Sequence, residues 1–339
     1  MSRPLPFISN ALTIIDRLSW QYMQHACAAI SVTIATAYAT LGESGLQHSL
    51  NEPGCVAIFT NDDLLPTVLK VLPRTPSLKY IIYDGTPSTT LLKELRQTGH
   101  VVLSQDEVRD LGRGKPSIEH LRPKSSDLCC IMYTSGSMGA PKGVMVTHSM
   151  VTAAIASVQH LLGHHFLPEH DLFIAFLPLA HTFEYAVELA LSFLGCPIGY
   201  GRVKTLTDAS VRNCVGDLKE CAPTLMVGVP AIWEMIRKGI LSQVEKMPAV
   251  ARLAFHAALG VKMAGVPGLS ALADSLVLTK VRAQTGGRLR YALSGSANLS
   301  TDTQKFMKAA LVTILQGALP QALLWGRMIL TCFFRLRID

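Results

Sequence analysis

The chain has 339 residues, 49% of them hydrophobic and 16% charged, with a formal net charge of +7. That length supplies two domains or one large one, and the apolar bias points to a membrane surface, although no uninterrupted apolar run reaches the roughly 18 residues that span a bilayer. The basic residues are scattered without interleaved aromatics, which argues against nucleic acid, and the eight cysteines contain no C-x-x-C pair, which argues for a reducing compartment and against a zinc site or disulfide framework.

Met1–Asn10 has neither the basic-then-apolar order of a signal peptide nor the Arg-rich make-up of a transit peptide. Ser31–Tyr38 and Cys55–Thr60 read as buried strands, and Asp62–Leu72 as a helix capped by Asn61. Lys79–Tyr83 is a strand closed by Asp84-Gly85, Ser88–Gln97 a helix, and His100–Leu103 a strand. Strand, helix, strand at this spacing predicts βαβ units on a parallel sheet. The polar stretch Gly112–Asp127 reads as a linker.

A second series follows. Leu128–Tyr133 is a strand that feeds a Gly-rich loop, and His148–Leu162 is a helix. Leu172–Phe176 and Thr224–Val229 are strands, each followed by a helix, Phe183–Leu194 and Ala231–Lys246. Leu289–Leu293 is a strand, Asp302–Ala309 a helix capped by Thr301 or Ser300, and Val312–Leu315 a last strand. The apolar stretch Val250–Val281 is broken by Arg252, His256, Lys262, Pro267 and Asp274. The tail Ala309–Phe334 is broken by Gln316, Pro320, Gln321 and Arg327. Both fit a protein that lies on a membrane better than one that crosses it.

Between Tyr133 and Gly143 stand the hydroxyls of Thr134, Ser135 and Ser137, the glycines Gly136, Gly139 and Gly143, and Lys142. Glycine permits positive φ and close approach of the backbone to a ligand. The ammonium is a point charge suited to phosphate oxygens. A strand followed by such a loop holds a polyphosphate by backbone N–H groups and charge. It is not the Walker loop, which needs Gly before the Lys and Ser or Thr after it. Here Pro141 precedes Lys142 and Gly143 follows. Composition alone equally describes an ordinary small-residue surface loop. No G-x-S-x-G elbow is present, so a serine hydrolase has no support.

The order of residues carries more. Ile131-Met-Tyr-Thr-Ser-Gly-Ser-Met-Gly-Ala-Pro-Lys-Gly-Val-Met145 resembles the AMP-binding motif of the adenylate-forming superfamily. Phe176-Leu-Pro-Leu-Ala-His181 is similar to the family's acyl-site segment, Val229-Pro-Ala-Ile-Trp233 to its Val-Pro-x-x-aromatic motif, and Ser294-Gly-Ser-Ala-Asn-Leu-Ser300 to its adenine-contacting segment. Ala37–Asn51, Ile58–Asn61, Lys79–Asp84 and Cys196–Tyr200 resemble the long-chain fatty acyl-CoA synthetases within it.

The resemblance implies an α/β fold of parallel-sheet βαβ subdomains, at 31–120 and 121–317 after a short segment 1–30. It implies ATP-dependent activation of a long-chain fatty acid through acyl-AMP, with CoA as co-substrate and Mg2+ at the phosphates. Thr134, Ser135, Gly136, Ser137, Gly139 and Lys142 would grip the β- and γ-phosphates. Ser294, Gly295 and Ser296 would lie along adenine. His181 would line the junction of acyl chain and adenylate as the catalytic candidate, and Trp233 would gate the acyl tunnel. Without the resemblance, His181 and Trp233 read as core residues.

Three departures qualify this. Met138 stands where the family has Thr, whose hydroxyl would donate to a phosphate, so weaker ATP binding is expected. Leu311–Gly317 leads towards the family's Tyr-Gly-x-Thr-Glu segment, then Ala318-Leu-Pro-Gln follows, so the family's magnesium-holding Glu is missing. The front is short before Trp20, and no counterpart of the family's small C-terminal domain follows, so the tail 318–339 reads as aberrant apolar sequence such as a splice or frameshift junction leaves. A chain truncated at both ends and incomplete for the full reaction is the expectation. The alternatives are a non-catalytic nucleotide- or fatty-acid-binding fragment and a membrane-attached scaffold. The expected place is the cytoplasm or the cytoplasmic face of an intracellular membrane, endoplasmic reticulum or lipid droplet, with peripheral membrane contact.

Overall fold

The computed structural model describes residues 9–13, 17–38, 42–115, 122–134, 141–163, 166–265, 268–295 and 297–316. The chain divides into two compact units, Met1–Ala153 with Pro178–Thr182, and Ala154–Leu177 with Phe183–Asp339.

In the first unit seven strands make one sheet: β1 (Ser9–Thr13), β2 (Thr33–Thr36), β3 (Ala57–Asn61), β4 (Tyr80–Asp84), β5 (Val101–Ser104), β6 (Leu128–Thr134) and β7 (Lys142–Thr147). Their order is β5-β4-β3-β1-β2-β6-β7. All neighbours run parallel except β6 and β7. Helices α1 (Arg17–Ala29), α2 (Gly42–Asn51), α3 (Leu65–Val71), α4 (Thr89–Gln97) and α5 (Gln105–Gly112) make the crossovers that parallel strands require. Ala57, Ile58, Phe59 and Thr60 of β3 are all buried, the continuous pattern of a strand covered on both faces. Leu50, Ile58, Val68, Ile81, Leu95 and Tyr133 meet in its core.

The expected βαβ alternation holds, with several differences. Segment 1–30 contributes β1, which sits between β2 and β3. The division falls after Ala153 rather than near 120, because β6 pairs with β2 and draws β7 into the same sheet. Helix α5 occupies part of what read as unassigned chain. Its start was written in the sequence as a capping box, Ser104 with Glu107, and both hydrogen bonds form. The helix expected from Asp62 begins instead with a 3-10 turn, Asp62–Leu64, and Asn61 makes no side-chain cap. Asp62 uses its carboxylate locally, accepting from the N–H groups of Asp63 and Thr86. Part of the expected linker, 116–121, lies outside the described residues.

In the second unit β8 (Phe173–Ala175), β9 (Ile198–Tyr200), β10 (Leu225–Gly228), β11 (Tyr291–Ser294) and β12 (Ile314–Gln316) form a wholly parallel sheet in the order β12-β11-β10-β8-β9. Helix α6 (His148–Leu162) leads in from the first unit. Then come α7 (Thr182–Phe193), α8 (Asp217–Cys221), α9 (Pro230–Glu245), α10 (Ala249–Ala264), α11 (Leu269–Ala273), α12 (Thr279–Arg282) and α13 (Thr301–Ala310). The apolar stretch Val250–Val281 is therefore a series of helices, α10 closing on Gly265 in the left-handed conformation. Among the described residues no helix is long and apolar enough to cross a membrane. Cys27, Cys55, Cys129, Cys130 and Cys196 are buried free thiols, as small core residues. Burial pushes Cys55 up to about 12.

Helices α9 and α13 are locked by one carboxylate. Ser300, which caps α13, donates to Glu234 Oε1 at 3.1 Å, and the Thr303 hydroxyl donates to the same oxygen. The Thr303 bond above all holds the Glu234 carboxyl below its usual range. A lowered native pKa contributes stability that is present above the unfolded value and lost as pH falls through the native one. Glu234→Gln should therefore cost about 1–2 kcal/mol at pH 7. The gap to wild type should close once the Glu234 carboxyl is protonated in both the folded and the unfolded chain, read from denaturant melts at pH 7 and at acid pH.

Candidate functional site

The Gly-rich loop is a hairpin connection. β6 and β7 pair antiparallel with rungs Met132↔Val144, Tyr133↔Gly143 and Thr134↔Lys142. The loop therefore ends on a strand, and α6 starts only after β7. No helix N-terminus follows it directly, so the strand-to-helix arrangement that favours anions is not the one used. Strand β7 escaped the sequence reading because its residues had been taken as the end of the loop. Lys142 is exposed and stands across the last rung from Thr134. Ser135, Gly136, Ser137, Met138 and Gly139 lie outside the described residues.

Gly143 does not take the positive φ expected of it. Its role is space. A Cβ there would stand 2.8 Å from Ile131 Cγ2 and 3.3 Å from the Tyr133 ring. Tyr133 is 1% exposed, and its hydroxyl donates to Glu52 Oε2 at 2.5 Å. Burial first, then the bond to Glu52 and its charge, raise the phenol well above its ordinary range, so it stays a donor. On the other stem, His48 Nε2 lies 2.9 Å from the Pro141 carbonyl. His48 and Glu52 were missed in the sequence. They fall in or beside the Ala37–Asn51 segment, which marked the long-chain branch without suggesting a role.

His181 belongs to the same unit, in the Pro178–Thr182 turn. Its N–H donates to the Pro178 carbonyl at 2.9 Å. Burial lowers its imidazole below the ordinary value, which leaves it neutral at pH 7.

Trp233, Ser294 and Gly295 belong to the second unit, where the expected segments follow the carboxyl ends of β10 and β11. The chain passes from β8 to β9 on one side and then returns to β10 on the other. The carboxyl ends beside such a reversal are the usual ligand position in open α/β sheets. Two glycines there serve as floors for aromatic rings. A Cβ on Gly228 would meet the Trp233 indole at 2.8 Å, and one on Gly295 would meet the Phe183 ring at 2.8 Å. Gly295 N–H donates to the Gly228 carbonyl at 3.1 Å. Trp233 is fully buried and Ser294 is 1% exposed. Neither the indole N–H nor the Ser294 hydroxyl has a hydrogen-bond partner among the described residues. Such buried donors are costly unless something accepts from them. Ser296 lies outside the described residues. An apolar cavity of about 40 Å3 is lined by Val158, Leu162, Val187, Leu191, Met226 and Leu293 among others. It has room for a few water-sized groups and not, as it stands, for a long acyl chain.

The AMP-binding enzyme family matches residues 11–318. The chain belongs to the AMP-binding enzyme family. It is 42% identical over 304 residues to long-chain-fatty-acid–CoA ligase 2 of Schizosaccharomyces pombe, a match covering 88% of this chain and 44% of the relative. It is 40% identical over 324 residues to long-chain-fatty-acid–CoA ligase 1 of Saccharomyces cerevisiae, covering 88% of this chain and 45% of that protein. The chain thus spans less than half the length of these relatives. Among solved structures, the adenylation domain of a carboxylate reductase from Mycobacterium chelonae matches with a TM-score of 0.75 at 19% identity, covering 93% of this chain and 47% of that one. The N-terminal domain of FACL13 from Mycobacterium tuberculosis matches at 0.63 and 15% identity, over 92% of this chain and 63% of its own. These agree with the α/β fold expected of the AMP-binding family.

No three His, Cys, Asp or Glu side chains come together among the described residues; Mg2+ asks for only one or two carboxylates beside substrate phosphates, and no step is assigned to it.

The glycine floors give a contrast. Gly228→Ala pushes a methyl into the buried Trp233 ring and should cost about 1–3 kcal/mol. Gly260→Ala, on α10 with nothing within 4 Å, should instead stabilise by about 0.5–1 kcal/mol. Denaturant unfolding followed by tryptophan fluorescence separates the two.

Proposed function

We propose that this chain carries the ATP-gripping and adenylate-forming residues of a long-chain fatty acid–CoA ligase. The observation that carries the reading is the β6–β7 hairpin, which sets Lys142 opposite Thr134 in a chain 42% identical to such a ligase. AMP-binding ligases use ATP and CoA. In the first half-reaction the fatty carboxylate attacks the α-phosphorus of ATP, forming acyl-AMP and releasing pyrophosphate. In the second, the CoA thiol attacks the acyl carbon and AMP leaves.

Both steps ask for charge stabilisation and positioning more than for a protein nucleophile. Lys142 with the hydroxyls of Thr134, Ser135 and Ser137 holds the β- and γ-phosphates, helped by backbone N–H groups that Gly136 and Gly139 leave uncovered. Ser294, Gly295 and Ser296 lie along adenine, which gives the buried Ser294 hydroxyl a partner. His181, kept neutral by burial, lines the acyl–adenylate junction without adding charge. Trp233 closes the acyl site in the conformation described.

Titration with ATP tests the grip. Lys142→Ala should weaken binding by about tenfold or more, and Met138→Thr should tighten it by restoring a charge-assisted donor. Pyrophosphate exchange that depends on a long-chain fatty acid is the expected sign of the first half-reaction. An unaltered affinity in Lys142→Ala would overturn the assignment of the loop.

We further propose peripheral contact with an anionic lipid surface at α10–α11. Val250 is 82% exposed and Leu253 72% on α10, and Leu276, just after α11, is 68% exposed. In the same stretch Lys246 and Lys280 are exposed, while Arg252 pairs with Glu245, and Lys262 and Arg282 pair with Asp274; the remaining positive charge suits anionic headgroups. The chain should float with phosphatidylserine-containing vesicles, and Leu253→Asp with Leu276→Asp should abolish this. Equal flotation by the double variant would exclude α10–α11 as the contact.

A further inference from the structure

The two stems of the loop are held by His48 of α2 and by Glu52, the residue that follows α2, both far earlier in the chain. Tyr133, on the β6 stem, donates to Glu52 Oε2 at 2.5 Å, across 81 positions. Pro141, on the β7 stem, presents its carbonyl to His48 Nε2 at 2.9 Å, across 93 positions. A carbonyl only accepts, so His48 must carry its proton on Nε2 and donate. His48 and Glu52 are four residues apart, which places them on one face of the helical turn. The same Nε2 lies 3.6 Å from Glu52 Oε2. The His48 ring also meets the Tyr133 ring edge-on, with centroids 5.8 Å apart.

We propose that His48 and Glu52 are positioning residues that hold Tyr133 and Pro141, the two stems of the phosphate loop, in place before nucleotide arrives. The proposal rests on reading that loop as the phosphate grip. Helix α2 is a firm base for such a clamp. It buries Leu46, Ser49 and Leu50 in the core of the first unit, and Glu43 near its start pairs with Lys70 of α3 at 2.9 Å. Ladder hydrogen bonds already keep β6 and β7 together. They do not settle how the hairpin tip stands relative to the rest of the sheet, because β7 is its edge strand. Ties from α2 to both stems do settle it. Gly143 completes the device by leaving the Tyr133 ring room to reach Glu52.

The clamp also deals with an electrostatic problem. A carboxylate near a polyphosphate site repels its ligand. Glu52 is occupied by the phenol hydroxyl and faces the imidazole, so its charge is drawn to the stems. Preset donors avoid the loss of affinity that comes with ordering a loop on binding.

Hydrogen–deuterium exchange of the full chain without nucleotide, followed by ATP titration, tests this. His48→Ala and Tyr133→Phe should raise exchange several-fold in peptides covering 131–145, leave those of α3 and β4 unchanged, and weaken ATP binding by about three- to tenfold. His48→Gln places an amide N–H where Nε2 stands and should restore most of both. Unchanged exchange at the stems, or a rise spread over the whole first unit, overturns the clamp and leaves the phosphate reading intact. Raised stem exchange with ATP affinity unaltered in both His48→Ala and Lys142→Ala overturns the phosphate reading, and the proposed role with it.

Discussion

Antiparallel pairing of β6 with β7 is the constraint on which the candidate site depends. Every other neighbour in the first sheet is parallel and is reached by a crossover. Here the chain turns back between two strands whose spacing is about 4.8 Å. The pairing sets Thr134 and Lys142 across one rung. Glycine at 143 follows from the same pairing, because Tyr133 lies across the rung and its ring fills the space a side chain would need. The hairpin is tied inward through β2 to the centre of the sheet, and its stems are tied to α2.

The second unit solves a different problem with a wholly parallel sheet. Its strands all end on the same side, so the segments after β8, β10 and β11 are brought to one edge by topology alone. Glycines at two of those ends let Trp233 and Phe183 lie directly on the backbone. The indole N–H and the Ser294 hydroxyl are left as donors or acceptors in an otherwise apolar setting. Burial here builds the core and leaves these two polar atoms without a hydrogen-bond partner among the described residues.

The same economy governs charge. His181 is held neutral by burial. Tyr133 is kept protonated by burial and by Glu52. Lys142 remains exposed. The exposed group keeps its charge and the groups drawn into the interior stay neutral, which avoids the desolvation cost of unpaired ions.

The sequence by itself determined the alternation of strands and helices, the family, and the chemistry of the loop, because apolar periodicity and the order Tyr133-Thr-Ser-Gly-Ser-Met-Gly-Ala-Pro-Lys-Gly143 are local features. Even α5 was legible in the Ser104–Glu107 capping box. Direction of pairing was not, since the short run Lys142–Thr147 has the same composition whether it extends a loop or turns back as an edge strand. The central place of β1, the clamp of His48 and Glu52, and the space-making role of Gly143 were likewise invisible, because each depends on a partner many residues away in the chain. Tertiary structure decided these, for the physical reason that hydrogen bonds and steric contacts act across space, where sequence separation counts only as the entropy lost in bringing the partners together.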